Sequence, residues 1–159
     1  MGSCKKGGAL EREPRYKVAM PDVDFISAST RHLEDSKSLL AQGRFDNALY
    51  LGGYATECAL KAVVFLAGAE AEKFGHRLLA LEEDGLALAF AIAPATVRYR
   101  PPVGVVRRIR DVWSETKRYD RTQAEALEKQ ARGLVENSEQ VWRYCIGEML
   151  LDGVLQEPR

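Results

Sequence analysis

A pair of adjacent glycines inside an otherwise helix-forming stretch constrains this chain more than any other feature. Residues 44–62 read RFDNALYLGGYATECALKA. Each glycine costs a helix interior roughly 1 kcal/mol against alanine, so packing or function must offset the pair. Gly52, Gly53, Ala55, Ala59 and Ala62 carry little side-chain bulk, which lets another helix approach closely. Tyr50, Tyr54, Glu57 and Lys61 follow one another at spacings of four, three and four, so they form one stripe along a helix. Aromatic hydroxyls, a carboxylate and an amine beside a small-residue seam imply a polar surface that is partly buried.

The flanking pattern is helical throughout. Pro21-Asp22 opens the folded part, with Asp22 a candidate N-cap. Phe25, Ser29, Leu33, Ser36 and Leu40 predict a first helix over 23–42, stopped by Gly43. The second helix follows a very short turn and ends near Gly68, so the two should pack antiparallel. A third is expected over 77–93, with Gly85 a point of bending. Pro94 and Pro101-Pro102 bracket an irregular loop. A fourth, short helix is expected over 104–116, followed by a break at Lys117-Arg118-Tyr119-Asp120. Thr122-Gln123-Ala124-Glu125 has the capping-box pattern and opens a long last helix to about Leu151. Its apolar stripe is Ala124, Leu127, Ala131, Leu134, Ser138, Val141 and Cys145, widened by Val135, Trp142, Ile146 and Met149. No segment alternates as a strand does. The fold class is all-α: an up-and-down bundle of four main helices plus a short one, as a single domain over 21–152. Residues 1–20 read as a flexible tail and 153–159 as a C-terminal one.

Composition excludes several functions. Lys plus Arg equals Asp plus Glu at 23 each, so the chain is not a globally basic nucleic-acid binder, and any electrostatic binding is local. Cys4, Cys58 and Cys145 are odd in number and widely spaced, against a disulfide framework and a zinc site. Cys58 and Cys145 read as buried thiols in a reducing, cytoplasmic setting. The longest apolar run, Ala59 to Ala69, is interrupted by Lys61 and falls short of the ~20 residues that span a bilayer. No membrane association, metal or cofactor is expected. There is no phosphate-cradling glycine loop and no nucleophile motif. Glu82-Glu83-Asp84 reads as a solvated acidic turn.

Residues 97–121 are locally basic. Arg98, Arg100, Arg107, Arg108, Arg110, Lys117, Arg118 and Arg121 outnumber Asp111, Glu115 and Asp120, with Tyr99, Trp113 and Tyr119 interleaved. Guanidinium groups hold phosphates and aromatic rings stack on unpaired bases. Most such runs are solvated helix faces whose aromatics belong to the core, and Trp113 fits that description. This is still the one segment to nominate for a polyanion.

The 44–62 stretch, its Tyr54-Ala55-x-Glu57-x-Ala59-Leu60-Lys61-Ala62 core and the Gly75-His76 pair with Leu79 and Leu81 beyond it resemble the second helix and following turn of HEPN domains (higher eukaryotes and prokaryotes nucleotide-binding). Arg118-Tyr119 resembles the Arg-Tyr pair before the last helix of one large HEPN group. Spacing alone makes Glu57 and Lys61 a surface pair worth roughly 0.3–0.5 kcal/mol; the resemblance turns them toward a cleft or a dimer seam. His76 reads as a structural imidazole bonded to a backbone carbonyl. His32 has no evident partner and reads as solvated.

The ribonucleases of that family carry an arginine and a histidine separated by four to six intervening residues. This chain departs there, because Gln123, Ala124 and Glu125 follow Arg118 and neither His32 nor His76 has an arginine at the required distance. The resemblance therefore implies a non-catalytic member that binds RNA or nucleotide, commonly as a homodimer, or that partners a nucleotidyltransferase in a toxin–antitoxin-like pair. Its binding residues would be Tyr50, Tyr54, Glu57 and Lys61, with Arg107, Arg108, Arg110 and Arg118 on phosphates. A divergent metal-independent ribonuclease, with Arg118 as electrostatic stabiliser and Glu57 or Tyr119 in place of the histidine, and a purely structural dimerisation module are the alternatives.

Overall fold

The computed structural model of the chain describes residues 24–119 and 124–155; the N-terminal tail, Asp22 and Thr122-Gln123 of the capping box lie outside them. Among the described residues every regular element is helical, as the sequence predicts.

Helix α1 spans Phe25–Ala41 and α2 spans Phe45–Leu66. The N-cap of α1 is Asp24, whose Oδ1 accepts the amides of Ile26 and Ser27 at 3.1 and 3.0 Å. Burial works against the Asp24 charge, but the Ser27 hydroxyl and the two amides outweigh it and hold the carboxyl below its ordinary value. Gly43 sits at φ 72°, which lets the amides of Gly43 and Arg44 return to Leu40 and Leu39 and close α1. The tight turn makes α1 and α2 an antiparallel hairpin. Its rungs include Ser29 donating to the Ala55 carbonyl at 2.7 Å and Ser36 to the Ala48 carbonyl at 2.6 Å.

A 3-10 turn at Ala71–Phe74 leads to α3 (Leu78–Ala80), a π turn (Leu81–Gly85) and α4 (Leu86–Ile92), continuous over 78–92. Gly85 closes the π turn, where an added Cβ would lie 3.2 Å from Val64 and 3.6 Å from Phe74. The proline-bracketed loop contains a 3-10 turn at Pro94–Tyr99. Helix α5 covers only Val105–Arg110, shorter than the expected 104–116. The backbone leaves the helix at Asp111 and carries Trp113 into the core, and a 3-10 turn at Glu115–Tyr119 occupies the place of the expected break. Helix α6 (Ala124–Trp142), a π turn (Arg143–Gly147) and α7 (Glu148–Leu151) form the long last helix. After it, Val154 and Leu155 pack against the core.

Helix α2 is the spine, in contact with both α1 and α6. Leu60, Val63 and Val64 are fully buried, each worth roughly 1.5–3 kcal/mol relative to exposure. From α6 to α7 the predicted stripe points inward, with Ala131, Leu134, Ser138, Val141, Cys145, Ile146 and Met149 buried and Leu127 and Trp142 half-buried. By length and hydropathy alone the 22-residue α2 qualifies as a membrane span, longer than the Ala59 to Ala69 run that the sequence suggests. In this fold 67% of its most apolar window is buried among the other helices, as in a core helix.

Candidate functional site

The polar stripe of α2 is real, and it opens into a ring cluster centred on Tyr54. The Tyr54 ring meets Tyr50 at 5.0 Å, Trp113 at 5.3 Å and His76 at 5.7 Å between centroids, all edge to face, and His32 at 6.0 Å. The Tyr50 and Tyr54 hydroxyls are 3.2 Å apart. Four elements converge here: His32 comes from α1, the tyrosines from α2, His76 from the turn before α3, and Trp113 from the segment after α5. Tyr50, Tyr54 and His32 are half-buried, while the His76 side chain is 50% exposed. His32 is therefore not a solvated residue: the hairpin sets it across from Tyr54. Burial, then the neighbouring Arg31 charge, lower its pKa from the ordinary 6.5.

Glu57 anchors the floor. It is only 3% exposed, and Lys61 only 7%. Lys61 Nζ lies 2.7 Å from Glu57 Oε1, and His76 Nδ1 lies 2.9 Å from Oε2. The surface pair read from spacing is thus a buried pair, and His76 bonds a carboxylate rather than a backbone carbonyl. A buried carboxylate is tolerated when both oxygens are engaged, as here. Lys61 Nζ also stands 5.8 Å from the centre of the Phe25 ring. No hydrogen bond engages the outer nitrogen of His76 among the described residues.

The glycine pair serves two different neighbours. An added Cβ at Gly52 would lie 2.5 Å from Leu134 and 3.1 Å from the Ser36 hydroxyl, so Gly52 admits α6 and α1. Ser138 on α6 donates to the Gly52 carbonyl at 2.8 Å, and Thr56 lies 3.0 Å from the Ser138 hydroxyl. At Gly53 the Cβ would fall 2.1–2.2 Å from the Trp113 indole, whose Nε1 donates to the Tyr50 carbonyl at 2.9 Å. Gly53 therefore seats the indole that backs Tyr54. Trp113 lies in the core at 3% exposure, as its sequence context predicts, and its place beside the tyrosines comes from the tertiary fold.

The basic segment is dispersed. Arg98 binds Asp152 at 2.7 Å and Glu148 at 3.4 Å beyond α6. Arg107 faces Glu83 at 4.0 Å, Arg108 donates to Asn137 at 3.3 Å, and Arg110 sits 3.3 Å from Asp111. All three are exposed. The Arg118 side chain lies outside the described residues. Tyr119 is 75% exposed. No group of three or more metal-ligating side chains occurs among the described residues. Cys58 is half-buried, its thiol pushed up to about 12 by burial and by Glu57, and Cys145 is fully buried, its thiol higher still. Neither is a ready nucleophile.

No curated protein and no solved structure shows significant similarity to the chain. A family model described as the HEPN domain matches residues 23–149, from the start of α1 into α7. That span takes in the glycine pair, the Glu57–Lys61 pair, Gly75-His76 and the helical bundle that carries them, and the chain belongs to the HEPN domain family.

Proposed function

We propose that this HEPN protein binds a nucleobase-bearing ligand, unpaired RNA or nucleotide, on the Tyr54 ring cluster, without cleaving it. The observation that supports this is the convergence of four rings on Tyr54 around a part-open surface, with the Glu57 carboxylate fixing His76 at its edge. Base–aromatic stacking is worth roughly 1–3 kcal/mol per base and tolerates any sequence. Tyr50 and Tyr54 hydroxyls and the outer His76 nitrogen would meet polar base edges or the ribose. The exposed Arg108 and Arg110 would extend the site toward phosphates. Self-association as a homodimer and pairing with a nucleotidyltransferase, in a toxin–antitoxin-like arrangement, follow from the family and are part of the same proposal.

A gel assay with labelled single-stranded RNA at low and moderate salt tests it. A salt-sensitive shift without cleavage supports the binding reading; no shift, with nucleotide or RNA, removes it.

One observation favours a second reading, a divergent ribonuclease. An imidazole held at Nδ1 by a buried carboxylate and half-open at its other side has the arrangement of a positioned acid–base group. Glu57 would then orient His76 rather than replace a histidine. Cleavage products lost in a folded His76→Ala protein would establish it.

A further inference from the structure

None of the residues of the Tyr54 cluster lines the open cleft of about 380 Å³ between the α3–α4 segment and α5. Its volume falls at the lower end of small-molecule sites. Glu82 and Glu83, on the π turn, stand along one wall, and Arg100 and Arg107 stand on the facing one. Phe90 and Val103 line the apolar part, and Val103 is 87% exposed.

The opposed charges do not satisfy one another. The closest approach is 4.0 Å, between Arg107 and Glu83, whose side chains are 63% and 64% exposed. A pair of that length and exposure contributes little. Among the described residues no ion pair or hydrogen bond engages the side chains of Glu82 or Arg100. Burial, and then the Glu83 charge, push the half-buried Glu82 carboxyl up, and the weaker pull of the Arg100 and Arg107 charges does not offset them. A ligand that completes this cleft therefore carries both charges and an apolar segment.

We propose that the cleft binds a small zwitterion with an apolar side chain, an amino acid or dipeptide. Its ammonium lies on Glu82 and Glu83, its carboxylate on Arg100 and Arg107, and its side chain on Phe90 and Val103. This site is independent of the nucleotide reading.

Isothermal titration of the full chain with L-leucine and leucyl-leucine tests it, beside N-acetyl-L-leucine and L-leucinamide, which each lack one charge. The zwitterions bind, and each analogue binds at least about tenfold more weakly, as does the parent zwitterion to Glu82→Gln or Arg100→Gln. Absence of heat at millimolar concentrations overturns the proposal. So does equal binding of the singly charged analogues, a result that holds whether or not the variants fold.

Discussion

Glu57 and His76 lie nineteen residues apart in the chain, yet His76 Nδ1 sits 2.9 Å from the Glu57 carboxylate. The same carboxylate holds Lys61 at 2.7 Å. One side chain thus joins the interior of α2 to the turn that follows it, and the ring cluster is assembled over that junction.

Removing Lys61 should be costly. A Lys61→Met protein keeps the stem but leaves a buried carboxylate without its ammonium, and should lose about 3–5 kcal/mol in urea unfolding. Glu57→Gln with Lys61→Met should lose clearly less than the two single losses together. Additive losses would contradict the coupling.

Gly53→Ala should destabilise the fold although alanine is the better helix former. Its Cβ would meet the Trp113 indole at 2.1–2.2 Å and force it off the Tyr50 carbonyl. Overpacking of this kind costs typically about 1–3 kcal/mol. A lower melting temperature with a shifted tryptophan emission is the expected result, while a stabilised protein would mean the indole is not seated there.

The bundle, its helix order and the α2 stripe were legible because periodicity and caps are local signals. Ser36, Gly52, Leu134 and Ser138 all fall on the inward faces that their helical spacing predicts. The ring cluster was legible only in part. Tyr50 and Tyr54 lie on one helix and announce themselves by spacing, but His32, His76 and Trp113 reach them through the tertiary fold. The hairpin did hold a usable signal: a turn at Gln42–Arg44 sets His32 opposite Tyr54. Trp113 gave none, because the helix pattern ran on past the point where the backbone turns inward. The partners of the arginines were not legible either, since proximity in sequence does not reveal that Arg98, Arg107, Arg108 and Arg110 face Asp152, Glu83, Asn137 and Asp111.

Stability should fall at alkaline pH through Tyr99. Its hydroxyl donates to Asp152 at 2.9 Å, and burial with that bond pushes its pKa from 10.0 to about 12. The folded state holds the proton more tightly than the unfolded one, so the contribution is complete below pH 10 and is lost as pH rises toward 12. Tyr99→Phe should flatten the unfolding free energy across that window, and an unchanged slope would remove Tyr99 as its source.

His32 should act in the opposite range. Its folded pKa lies below the ordinary 6.5, so the unfolded chain takes up the proton first, and stability should decline as pH falls from above 6.5. In His32→Gln that decline should be absent, as read from midpoints of urea unfolding at successive pH values. A wild-type decline in the variant would assign it to other groups.

The most direct test of the account is fluorescence anisotropy of a labelled single-stranded RNA with the wild-type chain and with Tyr54→Leu, each shown by melting to be folded. The account predicts salt-sensitive binding by the wild type that weakens roughly 5- to 150-fold in Tyr54→Leu, the loss of one stacked base. Equal affinity of the two folded proteins, or no binding by the wild type, would contradict it.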